Sequence, residues 1–181
     1  MANQRLQKLV LSSLFLALTF VLPFITGQIP EIGSALLPMH LPVLLCGFIC
    51  GWPYGLAIGF VAPILRSLLW GMPPLFPIAI AMAFEMATYG FCTGFFYSKW
   101  KSNTKFIFPT LIISMIIGRI VWGIVCFPLY TLFTENSFSL SLFWTSGFVL
   151  ALPGIILQLI LVPIIIASLS RIKVLFNDKK H

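Results

Sequence analysis

Acidic side chains are nearly missing from this sequence: of 181 residues four are Asp or Glu, and histidine occurs twice. With so few, no pair of carboxylates stands ready for general acid–base work. No H-E-x-x-H, no G-x-S-x-G elbow and no nucleotide-binding loop occurs, so the chain has no means of its own to hydrolyse ATP. An active site would have to be assembled from Arg66, Glu85, Arg119, His40 and His181 without a nucleophile–base pair, and the chain is not expected to be an enzyme. The four cysteines, Cys46, Cys50, Cys92 and Cys126, all fall in apolar stretches. Cys46 and Cys50 share a helix face at a spacing that serves packing. As half of a metal site they lack a second thiol or histidine pair, and neither metal nor cofactor is expected. Two matching broken helices are absent too, so the inverted-repeat architecture of many secondary transporters has no signature here.

Charged residues make up 8% of the chain, hydrophobic ones 60%, and the mean hydropathy is +1.06. A soluble domain of this length cannot hide that much apolar surface, so the solvent is lipid. At about 20 residues per crossing the length admits roughly six helices and no separate soluble domain. The apolar runs are continuous rather than alternating, which excludes a β-barrel. The amino-terminal run is long and lacks a small-residue cleavage pattern, unlike a signal peptide. The expected fold is an all-α membrane protein, a bundle of six transmembrane helices forming one domain over residues 1–181.

A net charge of +7 invites a nucleic-acid reading, but its placement argues for topology. Nine of the 11 basic residues form three clusters: Arg5 and Lys8; Lys99, Lys101 and Lys105; Arg171, Lys173, Lys179 and Lys180. They flank apolar spans, as charges that hold loops on the cytoplasmic side do. The intervening connections carry Glu31 and Glu135 and no Lys or Arg. Both termini are therefore expected in the cytoplasm, with no nucleic-acid partner.

In chain order the expected helices run Leu6–Ile25, Met39–Gly51, Tyr54–Trp70, Phe76–Ser98, Phe106–Phe133 and Leu142–Leu169, the last kinked at Pro153-Gly154. The first carries Ser13 and Ala17, a small-xxx-small pair that lets another backbone approach, within the chain or outside it. Gly27–Pro38 is an outer connection whose apolar residues suit a flap lying on the bundle.

The stretch Gly59–Gly94 organises the rest: two spans joined by a Gly71-Met72-Pro73-Pro74 turn, with Arg66 near the turn and Glu85 deep in the second span. Glu85 lies roughly 13 Å into its helix, at about 1.5 Å per residue. Ionisable groups at such depth mark function or need a partner. Thr88, Tyr89 and Cys92 follow at i+3, i+4 and i+7 as a polar stripe expected to face inward. Arg119 sits mid-helix with Trp122 one turn on, and Glu85 is the carboxylate at matching depth. The pair is open to two readings, a structural bridge or part of a pocket. Arg66 is likewise either a ligand contact or a snorkelling side chain. Gln158 adds a polar group at mid-depth in the last helix, and His40 opens the second.

Two segments, Met39–Gly55 (MHLPVLLCGFICGWPYG) and Ala62–Gly90 (APILRSLLWGMPPLFPIAIAMAFEMATYG), carry a resemblance. The six-span layout, over nearly the whole chain, resembles the substrate-binding (S) component of energy-coupling factor (ECF) vitamin transporters. The resemblance implies a bacterial plasma-membrane protein that captures a vitamin or precursor from outside. It would deliver that ligand through a transmembrane coupling (T) protein carrying two ATPase subunits. Helix 1 of the family docks through an Ala-xxx-Ala surface, whose positions read Ser13 and Ala17 here. The family's pocket lies under the loop between helices 1 and 2 and the turn between helices 3 and 4. That makes His40, Arg66, Met72, Glu85, Tyr89, Arg119, Trp122 and Gln158 the candidate substrate contacts. Two arginines against one glutamate lean toward an anionic, pantothenate-like ligand. A neutral pyridine or pyrimidine compound such as pyridoxine or hydroxymethylpyrimidine, stacked on Trp122 or Tyr89, is the alternative. A stand-alone channel or carrier using the same polar residues is the competing function.

Overall fold

The computed structural model describes residues 2–25, 35–100, 103–133 and 139–171. Most of the expected flap, the TENS stretch at 134–137 and the basic tail after Arg171 lie outside the described residues. Every described element is helical: α1 Ala2–Ile25, α2 His40–Cys50, α3 Trp52–Trp70, α4 Ile80–Lys99, α5 Ile107–Phe133, α6 Leu140–Trp144 and α7 Leu152–Arg171. Among the described residues five stretches are long and apolar enough to cross a membrane: Gln4–Ile25, Trp52–Trp70, Leu75–Lys99, Thr104–Thr131 and Leu152–Ser170. The expected second span is shorter. α2 has 11 residues, about 16 Å against a hydrocarbon core of about 30 Å. Every residue of α2 except Leu41 is buried, so its surroundings are protein and its length need not match the lipid.

Two expected helices are divided by their prolines. The segment expected to begin α4 at Phe76 is instead a wide turn over Leu75–Ala79 in which Phe76 is extended (φ −121°, ψ 133°). Phe76 precedes Pro77, whose ring disfavours the helical conformation of the residue before it. The expected last span is two pieces rather than one kinked helix. α6 and a wide turn at Thr145–Val149 precede a break at residues 150–151, and α7 follows. Pro153 then stands in the first turn of α7, where its missing N–H costs no helix bond.

α4 is the centre of the packing, with α2, α3 and α5 against it. Its contact with α3 is backbone on backbone. A Cβ added at Gly55 would come within 2.6 Å of the Gly90 carbonyl oxygen, and one at Gly90 would strike Gly55 in return. Gly59 meets the Met86 backbone, and Gly94 meets that of Trp52. Small residues at such a seam let dispersion contacts accumulate where lipid offers no hydrophobic drive. Gly51 (φ 98°) and Gly71 (φ 71°) make the sharp exits from α2 and α3 that the fold requires.

α1 packs on α2 and α3 through Ser12, Phe15, Thr19 and Pro23. Ser13 and Ala17 lie on its exposed side. α7 packs on α2 and α5, and Gly154 lets it pass close to the backbone of Ala35 and Leu36.

Candidate functional site

Glu85 is held at the middle of the bundle by three helices. From α4 itself, the Tyr89 hydroxyl donates to Glu85 Oε1 at 2.9 Å. From α5, Arg119 Nη1 meets the same oxygen at 2.9 Å. From α2, His40 Nε2 stands 3.6 Å from Oε2. The structure thus pairs Arg119 with Glu85, as their shared depth implies, and adds a tyrosine and a histidine. All four side chains are buried. The Tyr89–Glu85 bond follows from helix geometry, since residues four apart share a face. The ring of Tyr89 has room because Gly118 lacks a side chain: a Cβ there would strike the ring.

Among the described residues several side-chain polar atoms are buried without a hydrogen bond. They are His40 Nδ1 and Nε2, Arg119 Nη2, Gln158 Oε1 and Thr110 Oγ1. Leaving such atoms unpaired costs about 1–3 kcal/mol each, so they need an explanation. Three of the residues are linked through shared partners. Glu85 joins His40 to Arg119. The Leu37 carbonyl accepts from the His40 backbone N–H at 3.1 Å and from Gln158 Nε2 at 3.4 Å. Leu37 itself adopts a left-handed conformation (φ 49°), unusual for a branched residue.

Trp122 flanks the centre on α5. The Arg119 guanidinium lies 6.0 Å from its ring, at the outer limit of a cation–π contact. Trp122 in turn stacks on Phe143 at 6.0 Å, and Gly147 leaves space beside it.

Arg66 is placed elsewhere. Its Nη1 donates to the Phe20 carbonyl on α1 at 3.0 Å, and its guanidinium lies over the rings of Phe24 (5.3 Å) and Trp70 (5.6 Å). The side chain ties α3 to α1 and is not brought to Glu85. Met72 sits half-buried in the turn after α3. Thr88 does not face inward with Tyr89. It bonds the Phe84 carbonyl and lines an outer groove with Leu56, Phe84 and Phe91. The buried threonine of α4 is instead Thr93, which donates to the Tyr89 carbonyl at 2.7 Å.

Sequence reading missed Thr93, Thr110, Ser114 and Gly118, all buried. The last three recur every four residues and end at Trp122, a helical face hidden inside an otherwise apolar span. Among the described residues no group of three His, Cys, Asp or Glu is gathered as a metal site.

Among the described residues the apolar bundle thus holds a buried, charge-paired polar centre, which in a membrane protein calls for a structural or a binding role. The family model described as "ECF transporter, substrate-specific component" matches residues 7–166. The chain belongs to that family, a transport-binding subunit rather than an enzyme. Neither a curated protein nor a solved structure matches it.

Proposed function

We propose that this protein is the S component that captures a vitamin or vitamin precursor from outside a bacterial cell and passes it to an ATP-driven ECF module. Family membership supports the class, and the buried Glu85–Arg119 centre supports the place of binding. The proposed contacts are Arg119, His40 and Gln158 through their unpaired polar atoms, with Trp122 beside them. Glu85 and Tyr89 hold Arg119 in position. Six crossings, counting the short α2, put both termini on the cytoplasmic side, and the chain forms one domain. The exposed Ser13 and Ala17 on α1 suit the close approach of a helix from the T protein.

The test is to purify the protein from its own membranes with and without Ala17→Trp. The parent should bring a membrane coupling protein and ATPase subunits with it. The variant should lose both while holding its ligand as tightly as the parent. A parent that retains no ATPase under mild detergent favours a stand-alone carrier.

A further inference from the structure

We infer that the molecule held at this centre carries no net charge and enters as a hydrogen-bonding partner of Arg119, His40 and Gln158; the inference rests on the substrate-site reading above. It comes from following each buried charge to its partner.

The described residues bury three charged side chains: Arg66, Glu85 and Arg119. Arg66 is committed on the α1 side, to the Phe20 carbonyl and two aromatic rings. Arg119 is offset by Glu85 at 2.9 Å, so with an uncharged His40 the centre sums to zero. Composition alone suggested a surplus of one positive charge, but that count included an arginine that is not at the site.

An anion placed here would meet a guanidinium already neutralised at one nitrogen. It would also stand beside the Glu85 carboxylate, with little water to screen the repulsion. A cation would find Glu85 Oε1 already taken by Tyr89 and Arg119, with only Oε2 left facing His40, and would add a second positive charge beside the Arg119 guanidinium. An uncharged molecule meets neither obstacle.

The unpaired atoms also set its functional groups. Arg119 Nη2 is a donor and needs an acceptor. Gln158 Oε1 is an acceptor and needs a donor, while His40 Nδ1 takes either according to its tautomer. The residues bearing these atoms are at most 5% exposed, and they come from α2, α5 and α7. A ligand satisfying them joins α2, α5 and α7 through polar contacts beyond those that Glu85 and the Leu37 carbonyl already make. The chemical class is a neutral alcohol, amide or nitrogen heterocycle with at least one donor and one acceptor.

The experiment is to purify the full chain from its native membranes, denature it, and measure the mass and electrophoretic mobility at pH 7 of whatever is released. A molecule present near one per protein with no net charge is the expected result. A stoichiometric carboxylate or phosphate overturns the inference and leaves the substrate-site reading standing. Release of no small molecule removes both. Glu85→Gln, purified in parallel, leaves Arg119 unbalanced and should reduce occupancy by the uncharged molecule at least about tenfold. A folded Glu85→Gln protein with the parent's occupancy shows that Glu85 does not set the charge of the site and overturns the inference. Should that variant not fold, the parent's released molecule decides.

Discussion

Glu85 Oε1 accepts from both Tyr89 and Arg119, and the two partners contribute by different physics. Tyr89→Phe removes one hydrogen bond to a charged group and keeps the ring, a loss of about 1.5–3 kcal/mol. Arg119→Leu leaves a carboxylate buried without its counter-charge, a loss of about 3–5 kcal/mol. Melting of the two variants in one detergent should therefore show Arg119→Leu as clearly the less stable. The reverse order would mean that the ion pair is not the main support of Glu85. Gly118→Ala reaches the same oxygen indirectly, because its methyl displaces the Tyr89 ring. Combined with Tyr89→Phe it should depart from additivity by more than about 0.5 kcal/mol. Arg66 belongs to another part of the molecule. Arg66→Gln loses its contacts with α1 and should lower the melting temperature, while ligand affinity stays within about twofold of the parent, on the order of 0.4 kcal/mol. A larger loss of affinity would return Arg66 to the binding site.

At the scale of helices, the seam between α3 and α4 sets the tightest tolerance. Gly90→Val forces three carbons into the backbone of Gly55. Overpacking of this kind costs roughly 1–3 kcal/mol where neighbours can yield, and backbone yields less than a side chain. We expect a folded yield well below that of Gly71→Ala, whose new Cβ meets nothing within 4 Å although its left-handed φ remains a strain. Equal yields of the two would show that the seam opens. The spans themselves were legible because lipid demands long apolar runs, and α3 and α5 lie within two residues of where hydropathy puts them. The breaks at Phe76 and at residues 150–151 were less legible. Hydropathy reports what surrounds a residue and is blind to whether its backbone is helical. Pro77 and Pro153 held that information, and at Pro153 it was read as a kink rather than a first turn.

For the whole molecule, the proposed orientation rests on the charge pattern, with basic clusters flanking the spans and acidic residues in the intervening connections. A single cysteine at Asn103, in a chain freed of its native thiols, should react with an impermeant reagent only after the cells are opened. Reaction in intact cells would invert the proposed topology. The depth of Glu85 and Arg119 made their pairing legible, since two opposite charges in one small bundle have few other partners. The surroundings of Arg66 were less legible for a related reason. On a helix apolar nearly all round, composition does not say which way a side chain turns, and α1 supplied a carbonyl and two rings that no spacing rule announces. Gln158 was legible only as a polar group at depth; its link to Leu37 joins residues 121 apart in sequence.

The backbone contact between α3 and α4 also bears on how the gene can change. Every single-base substitution in a glycine codon that alters the protein either stops translation or installs a Cβ. At Gly55, Gly59, Gly90 and Gly94 that atom has no room. No one-step replacement at these four codons leaves the seam as it is. Drift in this half of the molecule is therefore barred at these four positions, while Leu, Ile, Val and Phe on the lipid-facing side can exchange at little cost.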